Sequence, residues 1–199
     1  IRLHEGSERI PLTVADFDPG KGTVTLVIQA LGKTTREMRD RYKAGDTFAD
    51  FVGPLGLPQH VERVGHVVLV GGGLGVAPVY PQLRAFHETG NRTTGIIGFR
   101  NENLVFWEDR FQAFCDDLMV CTDDGSYGRP GFVTDALREV LETDPPDLVI
   151  AIGPLPMMNA CVETTRPFGV KTMVSLNAIM VDGTGMCGSC RVNVGGEIK

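Results

Sequence analysis

Asp182, Cys187 and Cys190 stand in the order D-x4-C-x2-C within V181-D-G-T-G-M-C-G-S-C190. That is the ligand spacing of a plant-type [2Fe–2S] site with a carboxylate in the first cysteine's place. A carboxylate is a harder donor than a thiolate, but iron accepts oxygen ligands. Glycines 183, 185 and 188 would let the loop wrap a cluster, with amide N–H groups pointing at the sulfurs. Three other readings stand beside this one: a thiol–disulfide pair, half of a zinc site, or an incidental turn. A thioredoxin-like pair usually opens a helix, whereas R191-V-N-V194 alternates like a strand, so the spacing favours the cluster. The nine residues after Cys190 contain no fourth ligand. The expectation is therefore that the fourth ligand lies beyond Lys199. This chain would then hold no intact cluster, and Asp182–Cys190 would be mobile or irregular.

Two stretches could border a nucleotide cleft. V70-G-G-G-L-G-V-A-P78 follows an apolar strand-like run and precedes a helical one. Glycines there let backbone approach a pyrophosphate, while the following helix start supplies N–H donors and a positive dipole. The spacing differs from G-x-G-x-x-G, so a tight strand–helix turn is the plainer alternative. G153-P-L-P-M157 also follows an apolar run. In an open α/β sheet, ligands lie beyond the carboxyl ends of the strands. That rule would bring Gly98, Arg100, T122-D-D-G-S126 and Gly153 to the same edge as Gly71–Gly75. Asp123 and Asp124 could simply cap a turn. Alternatively, one of them bonds a ribose hydroxyl and disfavours the 2′-phosphate of NADP, which selects NAD(H). Arg100 is the candidate for that phosphate if NADP is used.

These residues need elements to position them. H66-V-V-L-V70, T94-G-I-I-G-F99, L118-M-V-C-T122 and L148-V-I-A-I152 are short apolar runs suited to strands buried on both faces. Helices are expected between them at 78–89, 104–115, 131–143 and 155–167. This alternation predicts a doubly wound α/β domain with a parallel sheet over 63–172. Residues 1–62 are β-like, with strands expected at 22–30 and 48–56 and a helix over T35-R-E-M-R-D-R-Y42 that a Thr could cap. They predict part of an antiparallel β barrel whose upstream strands are missing, and 173–199 begins the iron–sulfur segment.

The 199-residue length suits one large or two small domains. A net charge of -6 without a basic cluster excludes a nucleic-acid footprint. No apolar run reaches the roughly 18 residues of a membrane span, and no signal peptide opens the chain. Five cysteines, three of them scattered, make a poor disulfide framework and point to reduced thiols in a cytoplasmic protein. Cys115, Cys121 and Cys161 read as small buried hydrophobes. Trp107 reads as helix packing, and Met157 and Met158 as core-facing residues at a helix start. His4, His60, His66 and His87 read as isolated surface or satisfied helix residues.

The order Pro11-Leu12-Thr13, G32-K-T-T35, Gly71–Pro78, Gly153-Pro154 and then a cysteine loop resembles ferredoxin–NADP⁺ reductase-type flavoproteins. The likeness spans essentially the whole chain. Within them it is similar to the branch of the dihydroorotate dehydrogenase electron-transfer subunit. It also resembles the small, NADH-binding subunit of NADH-dependent reduced ferredoxin:NADP⁺ oxidoreductase, known too as a sulfide dehydrogenase subunit. The D-G-T-G-M-C-G-S-C loop carries that last likeness. The resemblance implies an FAD-binding barrel, an NAD(H) domain and a C-terminal [2Fe–2S] loop. It implies that Pro11, Leu12 and Thr13 line the flavin, with Val27, Ile28 and Gln29 as a second flavin-side strand. Gly32, Thr34 and Thr35 would hold the FAD pyrophosphate. Gly71, Gly72, Gly73, Gly75, Val76, Ala77 and Pro78 would cradle the dinucleotide, with Gly153 and Pro154 near the nicotinamide.

The chain departs from the family pattern in two places. Ile10 fills the place of the family's flavin-side arginine, with Arg9 one residue earlier, and Ile152 replaces the cysteine of a Cys-Gly-Pro motif. The implied activity is an NAD(P)H-dependent flavin oxidoreductase of the electron-transfer type. Electrons would pass from NAD(P)H through FAD and a [2Fe–2S] cluster to a larger flavoprotein or iron–sulfur subunit, with ferredoxin as a further partner. The alternatives are a free-standing NAD(P)H–flavin reductase, the dihydroorotate dehydrogenase subunit itself, and a non-enzymatic redox-sensing or docking module.

Overall fold

The computed structural model describes residues 1–176, 179–181 and 183–198. It divides into two compact units, one of Ile1–Gln59 with Asn177–Lys199 and one of His60–Leu176.

In the first unit, β1 (Asp16–Asp18) pairs antiparallel with β2 (Thr23–Thr25). Arg2 bridges to both Arg9 and Asp50. The strand expected over 22–30 stops at Thr25, because its only neighbour among the described residues is three residues long. The strand expected over 48–56 is reduced to the single bridge at Asp50. Helix α1 (Lys33–Arg41) buries Met38 and starts two residues before the expected Thr35. Thr35 is therefore not the N-cap. Its Oγ1 accepts the N–H groups of Gly32 at 3.0 Å and Leu31 at 3.1 Å, satisfying donors upstream of the helix.

The second unit is built on six parallel strands. They are β3 (His66–Gly72), β4 (Arg92–Phe99), β5 (Asp117–Thr122), β6 (Arg129–Pro130), β7 (Leu148–Ile152) and β8 (Lys171–Val174). Their order across the sheet is β6-β5-β4-β3-β7-β8. The connecting helices are α2 (Val76–Glu88), α3 (Glu108–Gln112), α4 (Val133–Thr143) and α5 (Leu155–Thr165). Every residue of β3 is buried, since side chains alternate between two covered faces. Val67 and Leu69 pack with Val79, Leu83 and Phe86 of α2 and Phe111 of α3. Val68 and Val70 pack with Leu137, Val140 and Leu141 of α4 and Cys161 of α5. Within the C-terminal part of the first unit, β9 (Asn193–Val194) and β10 (Glu197–Ile198) form a hairpin. Its two-residue turn, Gly195-Gly196, has φ of 61° and 91°, a combination that glycine adopts without strain.

Some local expectations give way. The helix expected at 104–115 becomes a 3₁₀ turn at Glu102–Leu104 and the short α3. The break comes at Trp107, whose backbone is left-handed at φ 64°. Its ring packs edge-on against Tyr80 with centroids 5.4 Å apart, and the Arg110 guanidinium lies 4.5 Å from its centroid. Tertiary packing overrides the helical composition there. Cys121 and Cys161 are buried and Cys115 half-buried. Burial pushes the thiols of Cys115 and Cys161 up to about 12, so they behave as small apolar groups. Among the described residues, no helix is long and apolar enough to cross a membrane.

His66 is neither exposed nor helical. It opens β3, buried, with Nε2 2.9 Å from Thr94 Oγ1 and its backbone N–H donated to Asp147 at 2.8 Å. Its Nδ1 lies 3.5 Å from Asp144, a carboxylate that also pairs with Arg92. Burial lowers the His66 pKa below 6.5, and Asp144 only partly opposes this. The unfolded chain therefore takes up this proton first, so protonation favours unfolding. Stability is expected to fall as pH drops from near 6.5, and His66→Gln should flatten that slope. Urea midpoints measured between pH 7.5 and 5 check it; parallel slopes would contradict it.

Candidate functional site

Strands β4, β5 and β6 lie on one side of β3, and β7 and β8 on the other. The connections leaving β3 and β7 therefore diverge, and the crevice between their carboxyl ends is the switch point of the sheet. Two loops meet there, Gly73–Gly75 between β3 and α2, and Gly153-Pro154 between β7 and α5. They pack backbone against backbone. A Cβ on Gly75 would run into the Ile152 carbonyl and come within 2.8 Å of Gly153 Cα. One on Gly153 would stand 3.2 Å from Gly72 Cα, and one on Gly71 2.9 Å from Val76 Cα. Gly73 differs: its φ is +54° and a Cβ there would meet nothing within 4 Å. Gly71 and Gly75 are thus needed for close backbone approach and Gly73 for its turn on the open side, while a Cβ on Gly72 would meet the Met157 side chain.

The remaining residues of this loop divide by burial. The side chains of Val76 and Ala77 are buried in the sheet–α2 layer, and Leu74 is exposed. Pro78 is half-buried and Pro154 exposed. Gly98 makes room for α4, because a Cβ there would clash with Val133 Cγ1.

The loops after β4 and β5 are tied together. Asp123 and Asp124 donate their N–H groups to the carbonyls of Phe99 and Arg100, at 3.0 and 3.3 Å. Asp124 Oδ1 accepts both the N–H and the hydroxyl of Ser126, at 2.9 and 2.6 Å. These bonds hold the Asp124 carboxyl below the usual carboxylate range. Ser126 Oγ in turn accepts the Glu102 N–H at 2.8 Å, and the Tyr127 hydroxyl donates to Glu108 at 2.8 Å. Asp124 therefore shapes the loop, whereas Asp123 and Arg100 present exposed side chains on that edge. Sequence reasoning placed Ser126 on this edge within T122-D-D-G-S126 but missed Glu102 and Tyr127. The D-G-S run after β5, typical of an Asx turn, was the available signal.

In the first unit, Arg9 forms an ion pair with Asp50. Pro11, Leu12, Val27, Ile28 and Thr34 are half-buried, while Thr13, Gln29 and Gly32 are exposed. The Thr35 hydroxyl is committed to the Leu31 and Gly32 N–H groups ahead of α1, and Thr34 is the other threonine of the pair. The C-terminal loop meets this surface at Gly183, where a Cβ would lie 3.6 Å from Pro11 and 3.5 Å from Leu55. Gly183, Gly185 and Gly188 have φ of 74°, 84° and 65° and turn the loop sharply. Cys187 and Cys190 are exposed on it. Asp182 lies outside the described residues. Among the described residues, no group of three or more His, Cys, Asp or Glu side chains could hold a metal ion.

Residues 69–163 match the oxidoreductase NAD-binding domain family. The whole chain is 50% identical to a Thermotoga maritima protein described as a homolog of the dihydroorotate dehydrogenase B (NAD(+)) electron transfer subunit, and covers 70% of it. It is 36% identical, over 98% of its length, to the corresponding electron transfer subunit of Shouchella clausii, covering 74% of that protein. This chain belongs to the family of dihydroorotate dehydrogenase B electron transfer subunits and their homologs. Among solved structures, it superposes with a TM-score of 0.91 at 48% identity on a chain of the NADH-dependent reduced ferredoxin–NADP oxidoreductase. That structure was determined for insight into flavin-based electron bifurcation, and the match covers all of this chain and 71% of that one. The family assignment makes this chain an oxidoreductase-family protein with the parallel-sheet NAD-binding fold expected from its sequence.

Gly75→Ala places a Cβ against backbone that cannot rotate away. It is expected to destabilise the protein by about 1–3 kcal/mol, measured by urea denaturation. An unchanged midpoint would contradict the close packing of the two loops.

Proposed function

We propose that this chain is the electron-transfer part of an NAD(P)H-dependent flavin oxidoreductase that feeds a larger flavoprotein or iron–sulfur partner subunit, in the manner of ferredoxin/NADP⁺ transhydrogenation. The observation that carries this reading is the glycine-walled crevice at the β3–β7 switch point, in a chain of this family. Its backbone packs too closely for side chains at Gly71 and Gly75, the Met157 thioether fills the space beside Gly72, and Gly73 opens outward. That arrangement fits a pyrophosphate approached by backbone alone. When bound, NAD(H) supplies hydride, FAD converts a two-electron transfer into single-electron ones, and a [2Fe–2S] cluster relays them.

The chain's own residues bind and orient. Gly71–Pro78 and Gly153-Pro154 would hold the dinucleotide from both sides of the crevice. Asp123, whose carboxylate is exposed on the same edge, would favour NAD(H) by repelling a 2′-phosphate. Arg100 would serve that phosphate if NADP(H) enters. On the first unit, Pro11–Thr13, Val27–Gln29, Gly32 and Thr34 would face the flavin, with residues 1–62 as part of the FAD domain and 63–172 as the NAD domain. Arg9, paired with Asp50, would contribute through that ion pair. Cys187 and Cys190, with Asp182, would supply cluster ligands within 173–199. The loop passes near Pro11 at Gly183, where an added Cβ would lie 3.6 Å from it, which is in keeping with a flavin-to-cluster path. Reduced thiols accord with a cytoplasmic setting, and ferredoxin is a further partner by analogy with the ferredoxin–NADP oxidoreductase relative. A dihydroorotate dehydrogenase partner is the second reading, favoured by the description of the Shouchella clausii relative.

Full-length protein is expected to show flavin and iron–sulfur absorption that NADH bleaches anaerobically. Cys187→Ser should remove the acid-labile sulfide while flavin bleaching persists. A colourless protein that NADH leaves unchanged would overturn the reading.

A further inference from the structure

Met157, the third residue of α5, is half-buried and packs against the core layer that includes Val68, Val70 and Val149. Sequence reasoning treats it as core filling, yet its thioether ends at the switch point. A Cβ on Gly153 would stand 2.8 Å from Met157 Cε and 2.9 Å from its Sδ. A Cβ on Gly72 would collide with the same Sδ, with Pro154 Cδ and Met157 Cε next, at 3.3 and 3.4 Å. One side chain therefore supplies most of the nearest atoms facing both glycines.

Three glycines in a row at 71–73 have more backbone freedom to lose than any other residues. Having no Cβ, they cannot anchor themselves, so their shape depends on what they pack against. At Gly72 the packing partner is a thioether. Methionine suits the place because it is unbranched and fills irregular gaps.

We propose that Met157 is a positioning residue for the dinucleotide, with its thioether bracing Gly72 and Gly153 and fixing the depth of the crevice. The inference rests on the proposed NAD(H) site and assigns this side chain the task of holding its backbone walls in the binding geometry. Met157 itself moves no proton or electron.

The test uses full-length, flavin-loaded protein with NADH as donor and ferricyanide as acceptor, alongside thermal midpoints. Met157→Ala removes the brace and is expected to raise KM for NADH about tenfold, with the loss in KM rather than kcat. The volume-conserving Met157→Leu should restore KM to within about threefold of the wild type. Wild-type KM in Met157→Ala would overturn the proposal. So would a KM defect equal in both variants, or one that follows the fall in thermal midpoint, since either marks general destabilisation. If the wild-type protein fails to bind NADH in equilibrium titration, the NAD(H) site itself fails, and the inference with it.

Discussion

The contact on which the site depends is between two pieces of backbone. Gly75 lies against the Ile152 carbonyl and Gly153 Cα with no room for a Cβ between them, and a Cβ on Gly153 would come within 3.2 Å of Gly72 Cα. This approach is possible only because β3 and β7 are adjacent and parallel, paired from Val67↔Leu148 to Gly71↔Ile152. Helices α2 and α5 then leave from the same edge. The apolar layers on both sheet faces hold the strands in register, and the register brings the glycines together. A crevice walled by peptide groups is the result, suited to a ligand recognised through backbone.

The two edges of the sheet are chemically opposite. At the amino edge, Arg92 pairs with Asp117 and Asp144, Asp147 accepts the His66 backbone N–H, and the buried His66 Nδ1 lies 3.5 Å from Asp144 without a hydrogen bond. At the carboxyl edge of β3 and β7, neither Gly71–Gly75 nor Gly153–Met157 contains a charged residue. Charge is confined to the neighbouring loops, where Asp124 is engaged with Ser126 and Asp123 is exposed. In the proposed reading, an edge of this kind would offer peptide groups to a phosphate and the Asp123 carboxylate for choosing between sugars.

Much of the nucleotide unit was legible in the sequence, because fully buried parallel strands are continuous apolar runs. H66-V-V-L-V70 and L148-V-I-A-I152 could be placed within a residue or two. The short edge strands β6 and β8 escaped, since a strand of two residues or one containing Lys171 carries little pattern. Glycine positions were legible as well, but not their separate duties, which depend on which backbone lies opposite. Gly98 looked like part of the cleft edge and proves to accommodate Val133 of α4. Met157 looked like core, since nothing local reveals that its sulfur ends against two glycines distant in sequence. The first unit was least legible. Its β-type segments pair for only three residues, and Thr35 turned out to satisfy donors before the helix rather than to cap it.

The central claim is that NAD(H) binds at the carboxyl ends of β3 and β7. Hydrogen–deuterium exchange on the full-length protein, with and without saturating NADH, tests it most directly. Slowed exchange confined to residues 71–78 and 153–158, with the amino edge around His66 and Asp144 unchanged, is the predicted result. Protection that spares both glycine loops, or that falls at the amino edge, would contradict the account.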